Sequence, residues 1–389
     1  MVTAVVVVIV LVVAGASGYF LGGAGAGGAA MTTTATTTVV GGAGGAVTTT
    51  VTSATTALID LEGAAQQECA AQTGPCLTIY TTQDATNWDK YYGPLFYQEY
   101  PWASGKVNYV SLSAAAETQR LLSEFQANKV GADLATGTLA GLIPVYQGHA
   151  FVNYTSPLTK FMNYSADGIG PAWVVTNNAI VHMIYNPKVI AANNLPIPTS
   201  WSDLANPAYN GKLAMQTATS LSITTAEFYY LYNSMGNSSG QWTNLMKGIA
   251  ANHPTITATA GAAESAVVSG QAAVGIDTFD SYVSALKANA SIPLKLVDIE
   301  PLVYTPGVVA LTANSPHPAM AKLAEAWFIS VSGQTGVYRT NHVPYTSSIG
   351  SGLTAYLPAG YKLTNAYANT ALFQNPGAWS DTFKAIFGA

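Results

Sequence analysis

The stretch CLTIYTTQDATNWDKYYGPLFYQEYPWASGKVNYVSLSAAAETQRLLSEFQANKVGADLATGT, residues 76–138, alternates short apolar runs with segments of helical periodicity. The apolar runs have the length of strands and lie at residues 76–82, 106–112 and 132–137. The segments between them carry aromatic or apolar residues at helical spacing, and Ser113 is placed to cap the second helix. Strands that alternate with helices at this spacing predict βαβ units and a mainly parallel sheet.

A second block of the same kind follows this stretch. Residues 172–186 predict a pair of strands, and a strand is predicted to return to the first block near residues 295–311. Two helix starts resemble capping boxes, Ser200 with Asp203 and Thr224 with Glu227. One strong helix is predicted over residues 317–333. The whole pattern predicts an α/β protein.

The N-terminus differs from the rest of the chain. Residues 2–21 are almost entirely apolar, which is long enough to cross a bilayer as a helix. No Lys or Arg precedes Lys90, so the basic start of a cleaved signal peptide is missing, and an uncleaved anchor over 1–22 is favoured over a signal. Residues 23–72 are rich in Gly and Thr and predict a flexible stalk, with a β-prone segment as the other interpretation.

The two cysteines and the glycosylation sequons favour an extracellular location. Cys69 and Cys76 are too close together and too isolated for a zinc site, so a small disulfide loop is predicted, with two unpaired thiols as the alternative. The sequence Asn-x-Ser/Thr occurs at four positions that could carry N-linked glycans. These are Asn153, Asn163, Asn237 and Asn289.

Composition excludes several classes of function. Charged residues make up only 8% of the chain, the net charge is −5, and no run of Lys and Arg suggests nucleic-acid binding. No phosphate-binding loop, nucleophile elbow or zinc-protease motif is present, and the five histidines are scattered, so neither a catalytic residue, a bound metal nor a cofactor is predicted. With so few carboxylates, little stability is lost when they protonate, which would suit an acidic environment.

Several ordered motifs resemble a known family. PTSWSDLANPAYNGKLAM at residues 198–215 is the most diagnostic, and it is joined by SGQAAVGI at 269–276 and HPAMAKLAEAWFISVSGQ at 317–334. The chain is similar to the extracellular solute-binding proteins of ABC transporters, the periplasmic-binding-protein type II, in the branch with ferric-ion, thiamine, polyamine and aminophosphonate binders. The resemblance covers roughly residues 76–344.

The resemblance implies two Rossmann-like lobes joined by a hinge of two crossing strands, closing on a small solute that a membrane permease then receives. It places the solute-binding domain at 73–389. The first lobe would comprise about 76–175 and 302–389, and the second about 176–300. The implied partners are a small molecule or ion and an ABC permease on the outer side of the cell membrane.

In open α/β sheets, ligands bind beyond the carboxyl ends of the strands, and helix N-termini there attract anions. The candidate ligand-binding residues lie at such strand ends and helix starts. They are Thr81, Thr82, Gln83, Ser113, Ala114, Thr136, Trp173, Ser220, Ser222, Phe279, Asp280 and Tyr282.

The choice of solute stays open in the sequence. Ferric-ion binders of this family carry an adjacent Tyr pair after the strand that follows the SG-x-A turn, and this chain has none there, although Asp280 and Tyr282 remain as oxygen donors. The pair Tyr229-Tyr230 lies within a predicted helix and is interpreted as packing. An anionic or small organic solute is therefore preferred to iron. The alternative function is a structural or filament-forming surface protein that reuses the fold.

Overall fold

The computed structural model describes ten parts of the chain. They are residues 36–41, 45–50, 53–160, 170–218, 222–235, 239–299, 302–345, 353–357, 360–366 and 376–388. The expected anchor over 1–22 lies outside them. Among the helices that are described, none is both long enough and apolar enough to span a bilayer.

Strands and helices alternate through the body of the chain. The strands are β1 (Thr36–Gly41), β2 (Gly45–Thr50), β3 (Leu77–Thr81), β4 (Val107–Ser111), β5 (Leu134–Thr138), β6 (Val174–Tyr185), β7 (Leu213–Gln216), β8 (Thr255–Thr257), β9 (Val274–Thr278), β10 (Lys295–Leu296), β11 (Leu302–Leu311), β12 (Val343–Pro344) and β13 (Leu363–Asn365). The helices are α1 (Ser53–Ala70), α2 (Gly93–Glu99), α3 (Ala114–Gln126), α4 (Leu139–Gln147), α5 (Pro187–Ala192), α6 (Ile223–Ser234), α7 (Ser239–Ala251), α8 (Ala260–Val268), α9 (Phe279–Ala288), α10 (Pro318–Phe328), α11 (Val331–Arg339) and α12 (Pro376–Phe387). This order confirms the predicted α/β class.

The main sheet runs in the order β4-β3-β5-β11-β6-β9-β7-β8. Its two ends are parallel, β4-β3-β5 on one side and β9-β7-β8 on the other. The two central strands are antiparallel to each other and to the neighbours on their outer sides. The sheet is therefore two parallel α/β units joined through β11 and β6; we call these units the first half (β3, β4, β5) and the second half (β7, β8, β9).

The two central strands are the longest in the sheet. β6 has 12 residues and β11 has 10, and they pair along most of their length. The sequence predicted a pair of strands over 172–186; the structure has one continuous strand there, because both of its faces are covered and nearly every residue is buried. This arrangement fits the predicted crossing strands, while the residue boundaries of the two lobes stay a prediction.

An aromatic cluster fills the core of the first half. Trp88, Tyr92 and Phe96 form one buried face, as their helical spacing predicted, although the first turn is a π-helix that continues into α2. The ring of Phe96 meets the ring of Trp327 on α10 edge to face at 5.1 Å. Edge-to-face contacts of this kind add to the stabilisation from burial, so α10 from the C-terminal part of the chain is fastened to the first half.

Helix α1 lies within the segment predicted as a flexible stalk. It packs against α10, and the Glu68 carboxylate accepts hydrogen bonds from the backbone N–H groups of Ala319 (3.2 Å) and Met320 (2.9 Å) in the first turn of α10. A carboxylate is favourable there because the N–H groups have no partner within the helix. Helix α1, although it precedes residue 73, is therefore packed onto the body of the fold.

The predicted disulfide between Cys69 and Cys76 is present, with its Cα atoms 5.0 Å apart. It ties the end of α1 to the start of β3. Both sulfur-bearing residues are buried in the aromatic core.

Replacing both cysteines by Ser is expected to lower the free energy of unfolding by about 2–3 kcal/mol, because the cross-link removes closure entropy from an unfolded loop of this length. Urea unfolding of the oxidised protein and of the double variant measures the difference. The same comparison under reducing conditions is the control, since it should leave the two proteins equal. If the free energy of unfolding of the two proteins differs by well under about 1 kcal/mol under oxidising conditions, α1 is held by packing and the Glu68 cap alone.

Candidate functional site

The carboxyl ends of β3 and β5 meet at one edge of the first half. These strands are parallel neighbours, with Thr81 opposite Thr136. The Thr136 hydroxyl donates to the Thr81 hydroxyl at 2.8 Å, and the Gln83 N–H donates to the same Thr81 oxygen at 3.1 Å. Both threonines are buried. They hold the edge together from inside, so neither of these two predicted ligand-binding residues is exposed to solvent.

The loop after β3 is fixed by several hydrogen bonds to Gln83. Its side-chain oxygen accepts from the Tyr92 hydroxyl at 3.0 Å and lies 3.4 Å from that of Tyr109, and its backbone carbonyl accepts from the Ser111 hydroxyl at 2.7 Å. The Gln83 amide is thus a positioning group. Thr82 is half-buried, and its backbone N–H donates to the Thr136 carbonyl at 3.1 Å.

Two helices begin at this edge. Ser113 caps α3, because its hydroxyl accepts from the Ala116 N–H at 3.3 Å, as predicted. The Thr118 hydroxyl donates to the Gly141 carbonyl at 2.7 Å and so fastens α3 to α4. Ser113 is exposed and Ala114 half-buried. The unpaired N–H groups of both first turns therefore face the region beyond the strand ends, where a negatively charged group would be stabilised.

Glu117 lies in the first turn of α3 and was not predicted as a site residue. Its side chain is almost fully buried, burial raises its pKa well above 4.5, and its Oε1 has no hydrogen-bond partner within the described residues. A Cβ added at Gly137 of β5 would come within 3.0 Å of Glu117 Oε2. The lack of a side chain at Gly137 thus lets the Glu117 carboxyl, whose neutral form burial favours, lie close against β5. Sequence reasoning missed Glu117 because only its burial in the folded protein distinguishes it from an ordinary surface Glu.

The second half contributes the start of α6. Ser222 caps this helix through its hydroxyl, which accepts from the Thr225 N–H at 3.3 Å and donates to the Thr217 carbonyl at 2.8 Å. The predicted capping pair Thr224 and Glu227 is wrong, since the helix begins at Ile223 and both residues lie inside it. Ser220 lies outside the described residues.

The start of α9 differs from the prediction in its exposure. The rings of Phe279 and Tyr282 are buried and meet the His182 ring of β6 edge on, at 6.3 and 5.4 Å between centroids. They are core residues in this structure and do not line an open surface. Asp280 is half-buried, and its Oδ2 lies 3.7 Å from His342 Nε2.

The two halves touch directly beside the central strands. Ala140 and Ile143 in the first turns of α4 pack with Ala226 and Tyr229 of α6, over Val303 of β11. Half-buried Trp173 packs against this group, and its ring meets the Tyr146 ring edge to face at 5.3 Å. Tyr229 is buried in packing, as interpreted from the sequence. The starts of α4 and α6, one from each half, are therefore brought together.

The polar residues do not form a metal cluster. Among the described residues, no group of three or more His, Cys, Asp or Glu side chains is close enough to hold a metal ion. The predicted residues that are exposed or half-buried are Thr82, Gln83, Ser113, Ala114, Trp173, Ser222 and Asp280. This arrangement offers a ligand hydroxyl groups, backbone N–H groups and the Glu117 carboxyl, whose neutral form burial favours.

Comparison with known proteins agrees with this geometry. Residues 144–330 match the bacterial extracellular solute-binding protein family. No curated protein sequence matches the chain.

Solved structures with the same fold cover most of the chain. Iron-bound HitA from Pseudomonas aeruginosa has a TM-score of 0.63 at 17% identity, covering 80% of this chain and 99% of that one. The periplasmic binding protein AfuA from Actinobacillus pleuropneumoniae, with fructose-6-phosphate bound, has a TM-score of 0.63 at 18% identity, covering 82% and 97%. The ferric binding protein from Campylobacter jejuni has a TM-score of 0.65 at 15% identity, covering 80% and 99%.

These likenesses establish the periplasmic-binding-protein fold, and the family match lies across both central strands and the second half. Together they confirm the resemblance seen in the sequence. Over residues 144–330 the chain is therefore similar to the bacterial extracellular solute-binding proteins, and its fold is that of the periplasmic binding proteins.

Proposed function

We propose that this protein captures a small anionic or organic solute between the two halves of its sheet and delivers it to an ABC permease, without catalysing a reaction. The observation that carries the proposal is the meeting of the α4 and α6 starts, one from each half, beside the two central strands. A solute that contacts both halves stabilises the closed arrangement, because its binding energy differs between open and closed states.

A phosphorylated sugar or a comparable anion suits the site better than ferric ion. The N–H groups at helix starts, the flanking hydroxyls and the Glu117 carboxyl, whose neutral form burial favours, can all donate hydrogen bonds, and donors recognise an anion's oxygens. A hard cation prefers several negatively charged oxygens, and no such group of side chains is present among the described residues. One structural neighbour holds fructose-6-phosphate and another holds iron, so both classes occur on this fold.

The apolar N-terminal segment is proposed to hold the domain at the outer face of the membrane. Residues 1–22 are long and apolar enough for that. The Gly- and Thr-rich residues between this segment and α1 give the domain reach.

A thermal-shift screen of the chain from residue 53 onward tests the proposed function. Protein that has been unfolded and refolded to remove carried-over ligand would be screened against phosphate, sulfate, sugar phosphates, phosphonates, thiamine, polyamines and ferric citrate. A solute at 100 times its Kd stabilises the folded state by about 2.7 kcal/mol. We expect a saturable rise in Tm with one anionic class. No rise with any compound would remove the proposal.

A second candidate function, surface assembly, is favoured by one observation. β1 and β2 form a Thr-rich antiparallel hairpin that pairs with no other described strand. An isolated two-stranded hairpin is only marginally stable, and its free edges can pair with another chain. Ordered assemblies of the full chain that disappear when residues 36–50 are deleted would support this function, whereas a monomer would favour the receptor alone.

A further inference from the structure

A concave site lies on the first half, outside the group of strand-end residues described above. It is a pocket of about 370 Å³ at the C-terminal end of α4. Its lining residues are Tyr146, Gln147, His149, Phe151 and Asn153. Small-molecule sites of similar volume combine aromatic walls with a few polar groups, and this pocket has that composition.

The aromatic walls are held in place. The Tyr146 ring is braced by the edge-to-face contact with Trp173. Phe151 forms an antiparallel bridge with Thr312, and the next residue, Val152, donates its N–H to the Leu311 carbonyl at 3.0 Å. The pocket wall is therefore continuous with the central sheet and preformed.

Asn153 is both a wall of this pocket and a sequon acceptor. In an extended chain, residues two apart project to the same side, which agrees with Phe151 and Asn153 both lining the pocket while Val152 between them is 37% exposed. Asn153 and Thr155 are exposed, so the Asn-Tyr-Thr sequon is accessible. The order along the chain is thus Phe-x-Asn-x-Thr, with the ring two residues before the acceptor amide.

We propose that Asn153 carries an N-linked glycan whose first sugar sits in this pocket, with its C–H face on Phe151 and Tyr146 and its hydroxyl edge toward His149. The donor is a lipid-linked, phosphate-activated oligosaccharide. A new C–N bond joins the Asn153 side-chain nitrogen to the anomeric carbon, the C–O bond to the donor phosphate breaks with its electron pair on the phosphate, and the amide nitrogen loses one proton to a base of the transferase.

Asn289 supplies a matched internal control. Its sequon, Asn-Ala-Ser, is also exposed and lies just after α9. The residue two positions before it is Lys287, and the Asn289 side-chain oxygen accepts from the Ser291 N–H at 3.0 Å. A glycan there has no aromatic ring at the corresponding position, so it should not change the stability of the fold.

The experiment uses the full chain secreted from a yeast host, trimmed with an endoglycosidase that leaves one N-acetylglucosamine on each occupied Asn. Peptide mass spectrometry measures occupancy, and thermal unfolding compares the trimmed protein with Asn153→Gln and Asn289→Gln. We expect Asn153 to be occupied, and the Asn153→Gln variant to melt about 1–3 °C lower. Asn289→Gln should melt within about 0.5 °C of the parent.

Two pocket variants distinguish stabilisation by a sugar bound in the pocket from a general effect of the sugar on Tm. In Phe151→Leu and Tyr146→Leu backgrounds, the Tm difference between the trimmed protein and its Asn153→Gln partner should vanish. An unmodified Asn153 in the folded, secreted chain overturns the proposal, as does an equal Tm difference in parent and both pocket variants. A saturable Tm rise of Asn153→Gln protein with free N-acetylglucosamine, without Asn153 occupancy, would instead assign the pocket to a free sugar and also overturn it.

Discussion

Lowering the pH from about 7.5 to about 5 is expected to raise the Tm of this protein, the reverse of ordinary acid denaturation. Three carboxyl groups, Glu117, Glu227 and Glu325, are buried in α3, α6 and α10, and burial raises the pKa of each well above 4.5. In each, at least one oxygen has no hydrogen-bond partner among the described residues. Burial in the folded protein therefore favours the neutral form of these three groups.

The direction of this change in Tm follows from how many protons the folded and unfolded states bind. Above pH 4.5 the unfolded chain releases these protons while the folded chain keeps them, so the folded state loses stability as pH rises from that value toward the raised pKa. Each such group contributes up to about 1.4 kcal/mol per pH unit. His182 acts in the opposite direction, because burial lowers its pKa to about 4 and its stabilising contribution is lost as pH falls below 6.5. Three carboxyls outweigh one histidine, and stability should peak near pH 5.

The variant Glu227→Gln makes this prediction specific. Gln is close to a protonated Glu in shape, so the variant should melt close to the parent at about pH 5 and above it at about pH 7.5. Thermal unfolding at several pH values measures both proteins. A parent Tm that is constant or falls between pH 7.5 and 5 would contradict the assignment of buried neutral carboxyls.

The second large effect concerns solute affinity. Glu117→Ala is expected to weaken binding of the solute found in the screen by about 10- to 100-fold, because it removes a buried hydrogen bond to a charged ligand. Glu117→Gln keeps a donor of nearly the same shape and should stay within about threefold of the parent if the solute is an anion. Titration calorimetry measures all three affinities.

The two variants also report the class of solute. If both lose affinity equally, the site needs a carboxylate, and the solute is a cation such as ferric ion. Glu325→Gln is the matched control, because Glu325 is an equally buried carboxyl but lies on α10, which packs against the aromatic core. The solute affinity of this variant should equal that of the parent. Unchanged affinity in Glu117→Ala would remove this residue from the site.

The fold could be predicted from the sequence because its signals are local and repeated. Strand-length apolar runs alternate with helical periodicity, and the aromatic face of residues 87–101 is buried as its spacing indicates. Polar side chains in the first half also carry out structural tasks. Glu124, for example, accepts from the Tyr80 hydroxyl at 2.8 Å, from Arg120 Nε at 2.8 Å and from the Gly131 N–H at 2.9 Å. Such residues specify the fold without contacting a solute.

The long C-terminal helix predicted over 317–333 is two helices, and the reason lies in packing. α10 ends at Phe328 and α11 begins at Val331, with Ser330 as its cap. The missing side chain of Gly333 lets α11 approach the end of α10, since a Cβ there would be 2.1 Å from the Trp327 carbonyl oxygen. Hydrophobic periodicity alone could not reveal the break between α10 and α11, because both helices continue the same apolar pattern.

The site was harder to predict, because the sequence indicates where strands end but not which side chains at those ends are exposed. Thr81, Thr136, Phe279 and Tyr282 occupy the expected ends and starts, yet they are buried by neighbours distant in sequence. Glu117 was missed for the related reason that a Glu in the first turn of a helix is ordinary on a surface. Its burial against β5 is visible only in three dimensions, and the ligand-binding roles of the accessible residues stay predictions.

The central claim is that one solute is held jointly by both halves of the sheet. Small-angle X-ray scattering of the chain from residue 53 onward, with and without a saturating amount of the solute that raises the Tm, tests it most directly. The account predicts a smaller radius of gyration and a narrower distance distribution when the solute is bound, with Glu117→Ala needing more solute for the same change. A solute that raises the Tm but leaves the scattering curve unchanged would mean that it binds one half alone, which would contradict the account.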